Sequence, residues 1–177
     1  MKKTVVVFGL LSGAVSSAMM LLTIPFMERI GFERGEVLGY TTIVASFLLV
    51  YFGIRAYRDR VGGGWITFGR GFTVGILITL VSSACYVATW EFIYFRLNPG
   101  FVDQYAAYAI ERARASGASR QEIEATTRQM DQFRVQYQNP VINVAMTFME
   151  PFPIGLVVTL ISAAVLRRAR KQEAAGA

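Results

Sequence analysis

The chain has 177 residues, is 54% hydrophobic with a mean hydropathy of +0.41, and carries a formal net charge of +6. It has no histidine and one cysteine, Cys85, which excludes Ser-His-Asp and Cys-His triads, the HExxH zinc motif, an internal disulfide and a cysteine-based metal site. Charged residues make up 17% of the chain, against roughly 25% in ordinary soluble domains, and they cluster between long apolar runs, as is typical of membrane proteins.

The first apolar run follows Lys2 and Lys3 and covers residues 5–27. A secretory signal peptide also begins with basic residues, but its apolar stretch is only about 7–15 residues long and precedes a small-residue cleavage site. Ser16-Ser17-Ala18 resembles such a site, yet the apolar run continues beyond it through Ile24. We therefore predict a retained transmembrane helix over residues 5–27.

Two further spans are predicted on either side of a basic, glycine-rich turn. The second span covers residues 37–54, near the minimum length for a bilayer, and follows a charged turn at residues 28–36. The third covers residues 71–95 and ends before the helix breaker Asn98-Pro99-Gly100. The glycines of the turn, Gly62–Gly64, lack the lysine and the preceding strand of a phosphate-binding P-loop, so they indicate a flexible turn.

A polar segment over residues 101–138 repeats its apolar residues at helical spacing. Ser116-Gly117-Ala118 divides it, and Ser119 with Glu122 fits a capping box at the start of a second helix. Its five arginines are balanced by five acidic residues, which argues against electrostatic anchoring to lipid. The segment is therefore predicted to form a helical hairpin outside the bilayer.

The fourth span is predicted over residues 144–166 and is followed by a basic cluster, Arg167, Arg168, Arg170 and Lys171. Basic residues also dominate the N-terminus and the turn between the second and third spans. The positive-inside rule then places both termini in the cytoplasm and the hairpin outside. The predicted fold is an all-α integral membrane protein with four transmembrane helices and an extracytoplasmic helical hairpin between helices 3 and 4.

Three stretches resemble one known family: YRDRVGGGWITFGRGFTVGILITL (Tyr57–Leu80), the hairpin over residues 105–137, and TFMEPFPIGLVVTLISAAVLRR (Thr147–Arg168). They are similar to the bacterial membrane family known as domain of unknown function 4199, over nearly the whole chain. The most specific pieces are the glycine-rich turn before Phe68-Gly69-Arg70 and the segment Glu150-x-Phe152-Pro153. The resemblance implies a four-helix fold in a bacterial cell (inner) membrane, and it implies no activity, ligand or catalytic residue.

Small residues recur at fourfold spacing in three of the spans. Lipid gives no hydrophobic drive for helix association, so close backbone approach through small residues supplies much of the packing energy. We expect these residues to pack helices within the bundle, with a homodimer seam as the alternative. The glycines concerned are Gly9, Gly13, Gly71, Gly75 and Gly155.

Glu91 and Glu150 are the acids closest to, or within, the apolar runs. Carboxylates inside a membrane are costly and suggest a functional role, but counting residues from the basic flanks places both acids near the outer interface. The simpler interpretation is an interfacial acid that reaches water or pairs with an arginine. Arg29 and Arg96 are the nearest cations in depth, and we expect Glu91 to pair with an arginine or with a polar group on the fourth helix.

The sequence favours a non-enzymatic multi-pass membrane protein that acts as a structural or interaction module. Its expected partners are membrane lipids and, through the hairpin at residues 101–138, a second copy or another membrane protein; no cofactor is expected. Nucleic acid is not an expected partner, because no polar segment carries a basic stripe with interleaved aromatic residues. The alternative function is a small ion- or proton-coupled carrier that uses the acids near the outer face. An intramembrane enzyme is least expected, because histidine is absent.

Overall fold

The structure, a computed structural model, describes residues 1–168, and nearly all of these residues are helical. Two helices continue into short turns: the helix Lys2–Thr23 into a 3-10 turn at Ile24–Phe26, and the helix Phe68–Phe92 into a π-helical turn at Ile93–Leu97. The helices are α1 (Lys2–Thr23), α2 (Met27–Ile30), α3 (Phe32–Arg60), α4 (Phe68–Phe92), α5 (Phe101–Ala115), α6 (Arg120–Tyr137), α7 (Pro140–Phe148) and α8 (Pro151–Leu166).

Four segments are long and apolar enough to cross a membrane: Lys2–Phe26, Phe32–Arg60, Phe68–Leu97 and Pro140–Leu166. The predicted all-α fold with four segments capable of spanning a membrane is therefore confirmed. The second segment is longer than the sequence indicated, because α3 begins at Phe32 and runs for 29 residues. Of the basic cluster at the end of the fourth segment, Arg170 and Lys171 lie outside the described residues.

The residues predicted as a charged turn before the second span are helical on both sides of Gly31. Gly31 separates α2 from α3 with φ of +81°, a left-handed conformation that glycine adopts without strain. Glu33 lies in the first turn of α3, where a negative charge is favourable beside the helix N-terminus. The charges therefore begin a helix here and do not interrupt one.

The fourth segment consists of two helices that meet at Glu150. Asn139 caps α7 by accepting the Val141 N–H at 3.0 Å, and Pro140 occupies the first turn, where a missing N–H is tolerated. Pro151 begins α8, and because it has no N–H, the hydrogen-bond ladder of α7 stops there. Glu150 thus lies at a break in a membrane-length segment.

Helix α4 is the centre of the bundle, because α1, α3 and α8 all pack against it. The core between these helices is fully buried around Phe47, Val50 and Ile54 of α3 and Val74 and Ile78 of α4. Hydroxyl groups also join the helices in this core. The Ser82 hydroxyl donates to Ser12 Oγ at 2.9 Å, and the Ser12 hydroxyl donates to the Ser46 carbonyl at 3.0 Å.

The contact between α1 and α4 depends on two small residues. A Cβ atom added to Gly9 would lie 2.7 Å from Val81 Cβ, and one added to Gly13 would lie 2.5 Å from Cys85 Cβ. Both distances are far below ordinary carbon–carbon contact, so only glycine permits this approach. Cys85 is half-buried and packs against Gly13.

The contact between α4 and α8 is reciprocal. A Cβ added to Gly75 of α4 would lie 2.7 Å from Thr159 Cγ2 of α8, and one added to Gly155 of α8 would collide with Thr79 of α4. The two threonine hydroxyls lie 3.1 Å apart and share a hydrogen bond. Gly71 lies one turn before Gly75 and faces the same helix. All five glycines singled out in the sequence are thus placed at helix contacts within the bundle.

Helices α5 and α6 form a hairpin that folds over one end of the bundle, which we call the hairpin end. Phe32 at the start of α3 contacts three aromatic rings of α5, the closest being Tyr108 at 5.1 Å between ring centroids. Arg134 of α6 pairs with Asp103 of α5 at 2.9 Å. The opposite end, the turn end, is closed by an isolated bridge between Ile66 and Arg168.

The capping box predicted for the hairpin is present at the start of α6. Ser119 Oγ accepts the Glu122 N–H at 3.3 Å, and Glu122 Oε2 accepts the Ser119 N–H at 2.7 Å. The donation from the Ser119 N–H stabilises the charged carboxylate and lowers the pKa of Glu122. The turn between the two helices includes Gly117, with φ of +77°.

Candidate functional site

A cavity of about 500 Å³ lies between the hairpin and the bundle at the hairpin end. Its volume is within the range of about 300–1,000 Å³ that is usual for small-molecule pockets. We call it the hairpin-end cavity. Its walls come from the end of α1, the start of α3, the end of α4, the hairpin and α7. They include Met19, Met20, Met27, Phe32, Glu36, Tyr40, Tyr86, Trp90, Phe101, Tyr105, Met130, Phe133, Tyr137, Met146 and Glu150.

The break between α7 and α8 positions Glu150 in the wall of this cavity. The Tyr86 hydroxyl of α4 donates a hydrogen bond of 2.8 Å to Glu150 Oε2. Tyr86 lies one helical turn before Trp90, so both side chains reach the cavity from the same face of α4. The hydrogen bond holds the carboxylate beside the cavity and leaves its second oxygen free to accept another donor.

A buried polar network fastens the hairpin over the cavity. The Trp90 Nε1–H of α4 donates to Tyr137 Oη of α6 at 2.7 Å, and Tyr137 Oη lies 3.4 Å from Thr147 Oγ1 of α7. The Thr147 hydroxyl donates to Asn143 Oδ1 at 3.2 Å. Because indole nitrogen is only a donor, the Tyr137 proton is directed to Thr147, and the network runs in one direction. Burial raises the pKa of Tyr137 to about 12, so this proton stays in place at neutral pH.

The cavity wall is acidic. Glu36 and Glu150 both line it, and no lysine or arginine lines it among residues 1–168. Neither carboxylate has an ion-pair partner within 4.0 Å in that part of the chain. The charge of the cavity is therefore not neutralised by the surrounding side chains.

The structure does not assemble the four charged residues singled out in the sequence into one cluster. Glu150 lines the cavity and Glu91 does not. Glu91 is half-buried, and its Oε1 is buried without a hydrogen-bond partner, so the expected pairing with an arginine or with the fourth helix is absent among the described residues. Arg29 and Arg96 are exposed, and neither lines the cavity.

Sequence reasoning missed Glu36 and Tyr86 as members of the site. Glu36 was placed in a charged turn, although its spacing of four from Tyr40 fits one face of a helix. Tyr86 is a polar-tipped residue inside the third apolar run, four residues before Trp90. Aromatic residues with polar tips in such runs seek hydrogen-bond partners, and this was the available signal.

The comparisons with known proteins give one family. The family described as "Protein of unknown function (DUF4199)" matches residues 7–168, which covers all four membrane-length segments and the hairpin. No match was found among curated proteins, and none among solved structures. The chain is thus a four-segment helical membrane protein, and it belongs to the DUF4199 family of proteins of unknown function.

Proposed function

We propose that this protein is a non-enzymatic membrane module that binds an amphipathic small molecule in the hairpin-end cavity. One observation carries the proposal: the cavity of about 500 Å³ combines mainly apolar walls with a carboxylate, Glu150, that Tyr86 holds in place. A concave apolar site with few fixed polar groups is the usual form of a small-molecule site. The hairpin is the element that closes this site and meets partners.

We also propose that the hairpin end faces the outside of a bacterial cell membrane. The basic residues near the turn end, such as Arg55, Arg60 and Arg70, support this orientation through the positive-inside rule. In the hairpin, by contrast, positive and negative charges balance. The cavity would then receive its ligand from the outer leaflet or from the space outside the cell.

Blocking the cavity tests the binding proposal. A Cβ at Gly39, which lines the cavity, would have no neighbour within 4 Å, so Gly39→Phe fills the cavity without a backbone clash. Gly69 on α4 is equally open and does not line the cavity, so Gly69→Phe is the matched control. The probes are tetraphenylphosphonium and tetraphenylborate, which have nearly the same shape and opposite charges, and triphenylphosphine oxide, a smaller neutral analogue. Binding is measured by equilibrium dialysis in phosphatidylcholine nanodiscs, with empty nanodiscs subtracted.

We expect saturable binding of at least one probe, lost in Gly39→Phe and kept in Gly69→Phe. If no probe binds saturably, or if Gly39→Phe binds as well as the wild type, the cavity is not a ligand site and the proposal is wrong.

A proton-coupled carrier is the second candidate, and the break at Glu150 favours it. Carriers commonly place an ionisable group where a membrane helix is interrupted. In proteoliposomes, a carrier would take up the bound probe in response to an imposed pH gradient, and Glu150→Gln would abolish that uptake. Binding without gradient-driven uptake would leave the binding module as the function.

A further inference from the structure

The charge of the hairpin-end cavity limits what it can bind. Two carboxylates, Glu36 and Glu150, lie in a wall that includes no lysine or arginine among residues 1–168. Both side chains are exposed at the cavity surface and have no cationic partner there, so their negative charges attract a positively charged ligand. An anionic ligand would add a third negative charge to the site. Charge complementarity therefore favours a cation.

A bare metal ion does not suit this cavity. The described part of the chain has no group of three or more histidine, cysteine, aspartate or glutamate side chains that could hold a metal ion. Hard cations such as Ca²⁺ and Mg²⁺ need six or more oxygen ligands or several retained waters. A metal ion would also leave most of a 500 Å³ cavity unfilled. The ligand must bring its own apolar volume.

The apolar walls suit an organic body. Five of the seven methionines of the chain line the cavity: Met19, Met20, Met27, Met130 and Met146. Methionine side chains are flexible and polarizable, and they adapt to ligands of different shape. Eight aromatic side chains line it as well, among them Tyr40, Tyr86 and Trp90. Aromatic rings attract cations when the charge is desolvated.

We propose that the hairpin-end cavity binds amphipathic organic cations: a quaternary or protonated amine, or a comparable onium group, on an aromatic or branched apolar body. This inference rests on the proposed binding function and names its ligand class. The positive charge lies toward Glu36 and Glu150, and Tyr86 keeps Glu150 in position. The apolar body packs against the methionines and aromatic rings.

The same three probes test the charge of the ligand. We expect tetraphenylphosphonium to bind at one saturable site, and triphenylphosphine oxide and tetraphenylborate to bind at least about tenfold more weakly. The double variant Glu36→Gln, Glu150→Gln should lose tetraphenylphosphonium binding by about tenfold or more. The control Glu33→Gln, Glu111→Gln removes the same charge from exposed residues outside the cavity and should leave binding unchanged.

The outcomes separate this inference from the proposed function. If the neutral or anionic probe binds as well as the cation and Gly39→Phe still removes it, the cavity is a ligand site but the cation assignment is wrong. Equal tetraphenylphosphonium affinity in the wild type and in the Glu36, Glu150 variant would also overturn it. If no probe binds, both proposals fail. Tyr86→Phe keeps both carboxylates and provides a second test. A weaker affinity for tetraphenylphosphonium in this variant supports the assignment. An unchanged affinity counts against the role given to Glu150.

Discussion

The Tyr86 hydroxyl donates a 2.8 Å hydrogen bond to Glu150 across 64 positions of sequence, and it joins the third and fourth membrane-length segments at the wall of the hairpin-end cavity. Tyr86→Phe removes the donor and leaves the carboxylate without a hydrogen bond. Because Glu150 is exposed and can be hydrated, we expect a loss of only about 1 kcal/mol in the free energy of unfolding. Thermal unfolding in nanodiscs measures this loss.

Tyr51→Phe is the control for this substitution. Tyr51 is half-buried on α3, and its hydroxyl makes no hydrogen bond within residues 1–168. Equal melting temperatures for the two variants would mean that the Tyr86–Glu150 bond contributes nothing to stability.

The hydrogen bond from Trp90 to Tyr137 should hold the hairpin over the bundle. Trp90→Phe leaves Tyr137 Oη without its donor in a buried site. We expect a local loss of about 1 kcal/mol, which makes amide exchange in α6 about fivefold faster. Hydrogen exchange followed by mass spectrometry on residues 120–137 gives the rate. Trp65→Phe, far along the chain from the network, should leave the exchange rate of α6 as in the wild type. If exchange in α6 became faster in both variants, the cause would be a general loss of stability and not the loss of this hydrogen bond.

The capping box should stabilise α6 locally. Ser119→Ala removes the acceptor for the Glu122 N–H, which costs about 1 kcal/mol at a typical N-cap. Exchange should rise in the first turns of α6 while the melting temperature of the bundle stays nearly unchanged. Protection of α6 equal to that of the wild type would show that the cap contributes little.

The same cap should weaken in acid. The pKa of Glu122 is lowered in the folded protein, so the stability it contributes is fully present above its unfolded pKa of about 4.3. That contribution is lost as the pH falls through the folded pKa. Glu122→Gln should therefore lower α6 protection at pH 7 and have little effect below the folded pKa.

Gly75 should tolerate no large side chain. A Cβ there would already lie 2.7 Å from Thr159 Cγ2 and 2.9 Å from Ile54 Cδ1. Gly75→Leu forces α4 away from α8 and α3, and we expect a loss of about 3 kcal/mol or more. The melting temperature in detergent shows this loss. Gly69→Leu, where the added atoms meet open space, is the comparison, and equal stability of the two variants would contradict the packing described for Gly75.

The proposed orientation can be tested by labelling intact cells. In a Cys85→Ser background, a membrane-impermeant maleimide should label Ser119→Cys at the hairpin end before lysis. Val61→Cys, which is exposed beside the glycine turn, should be labelled only after lysis. The reverse pattern would place the hairpin in the cytoplasm and overturn the assignment.

The four membrane-length segments could be predicted because burial in lipid requires long apolar runs, and such runs are visible in sequence. The start of α3 could not be predicted, because charged residues such as Glu33 and Glu36 occur both in polar turns and in the exposed first turns of a helix. The hydrophobic pattern does not distinguish the two. In the folded protein, α3 is covered there by the hairpin through Phe32, which is a tertiary contact.

The candidate site was predictable only in part. Glu150 stood out because it lies at the edge of an apolar run, where a carboxylate is costly in a membrane. Its partner Tyr86 did not stand out in the sequence. Helical periodicity shows which face of its own helix a residue occupies, but it does not show which residue of another helix that face contacts. Depth counting suggested Arg29 and Arg96, whereas the bond is made by Tyr86, an uncharged donor. Residue counting places Glu91 at the same depth in the bilayer as Glu150, but the Glu91 side chain does not line the cavity.

The reciprocal contact between Gly75 and Thr159 and between Gly155 and Thr79 has a mechanical consequence. The two helices run antiparallel, so a slide of one turn in one direction would bring Thr79 face to face with Thr159. A slide of one turn in the other direction would bring Gly75 opposite Gly155 and leave a void between them. The register of α8 on α4 is therefore locked, and α8 cannot ratchet along its neighbour. Any displacement of the fourth segment would be confined to α7 and the hairpin that precedes it, with the break at Glu150 as its pivot.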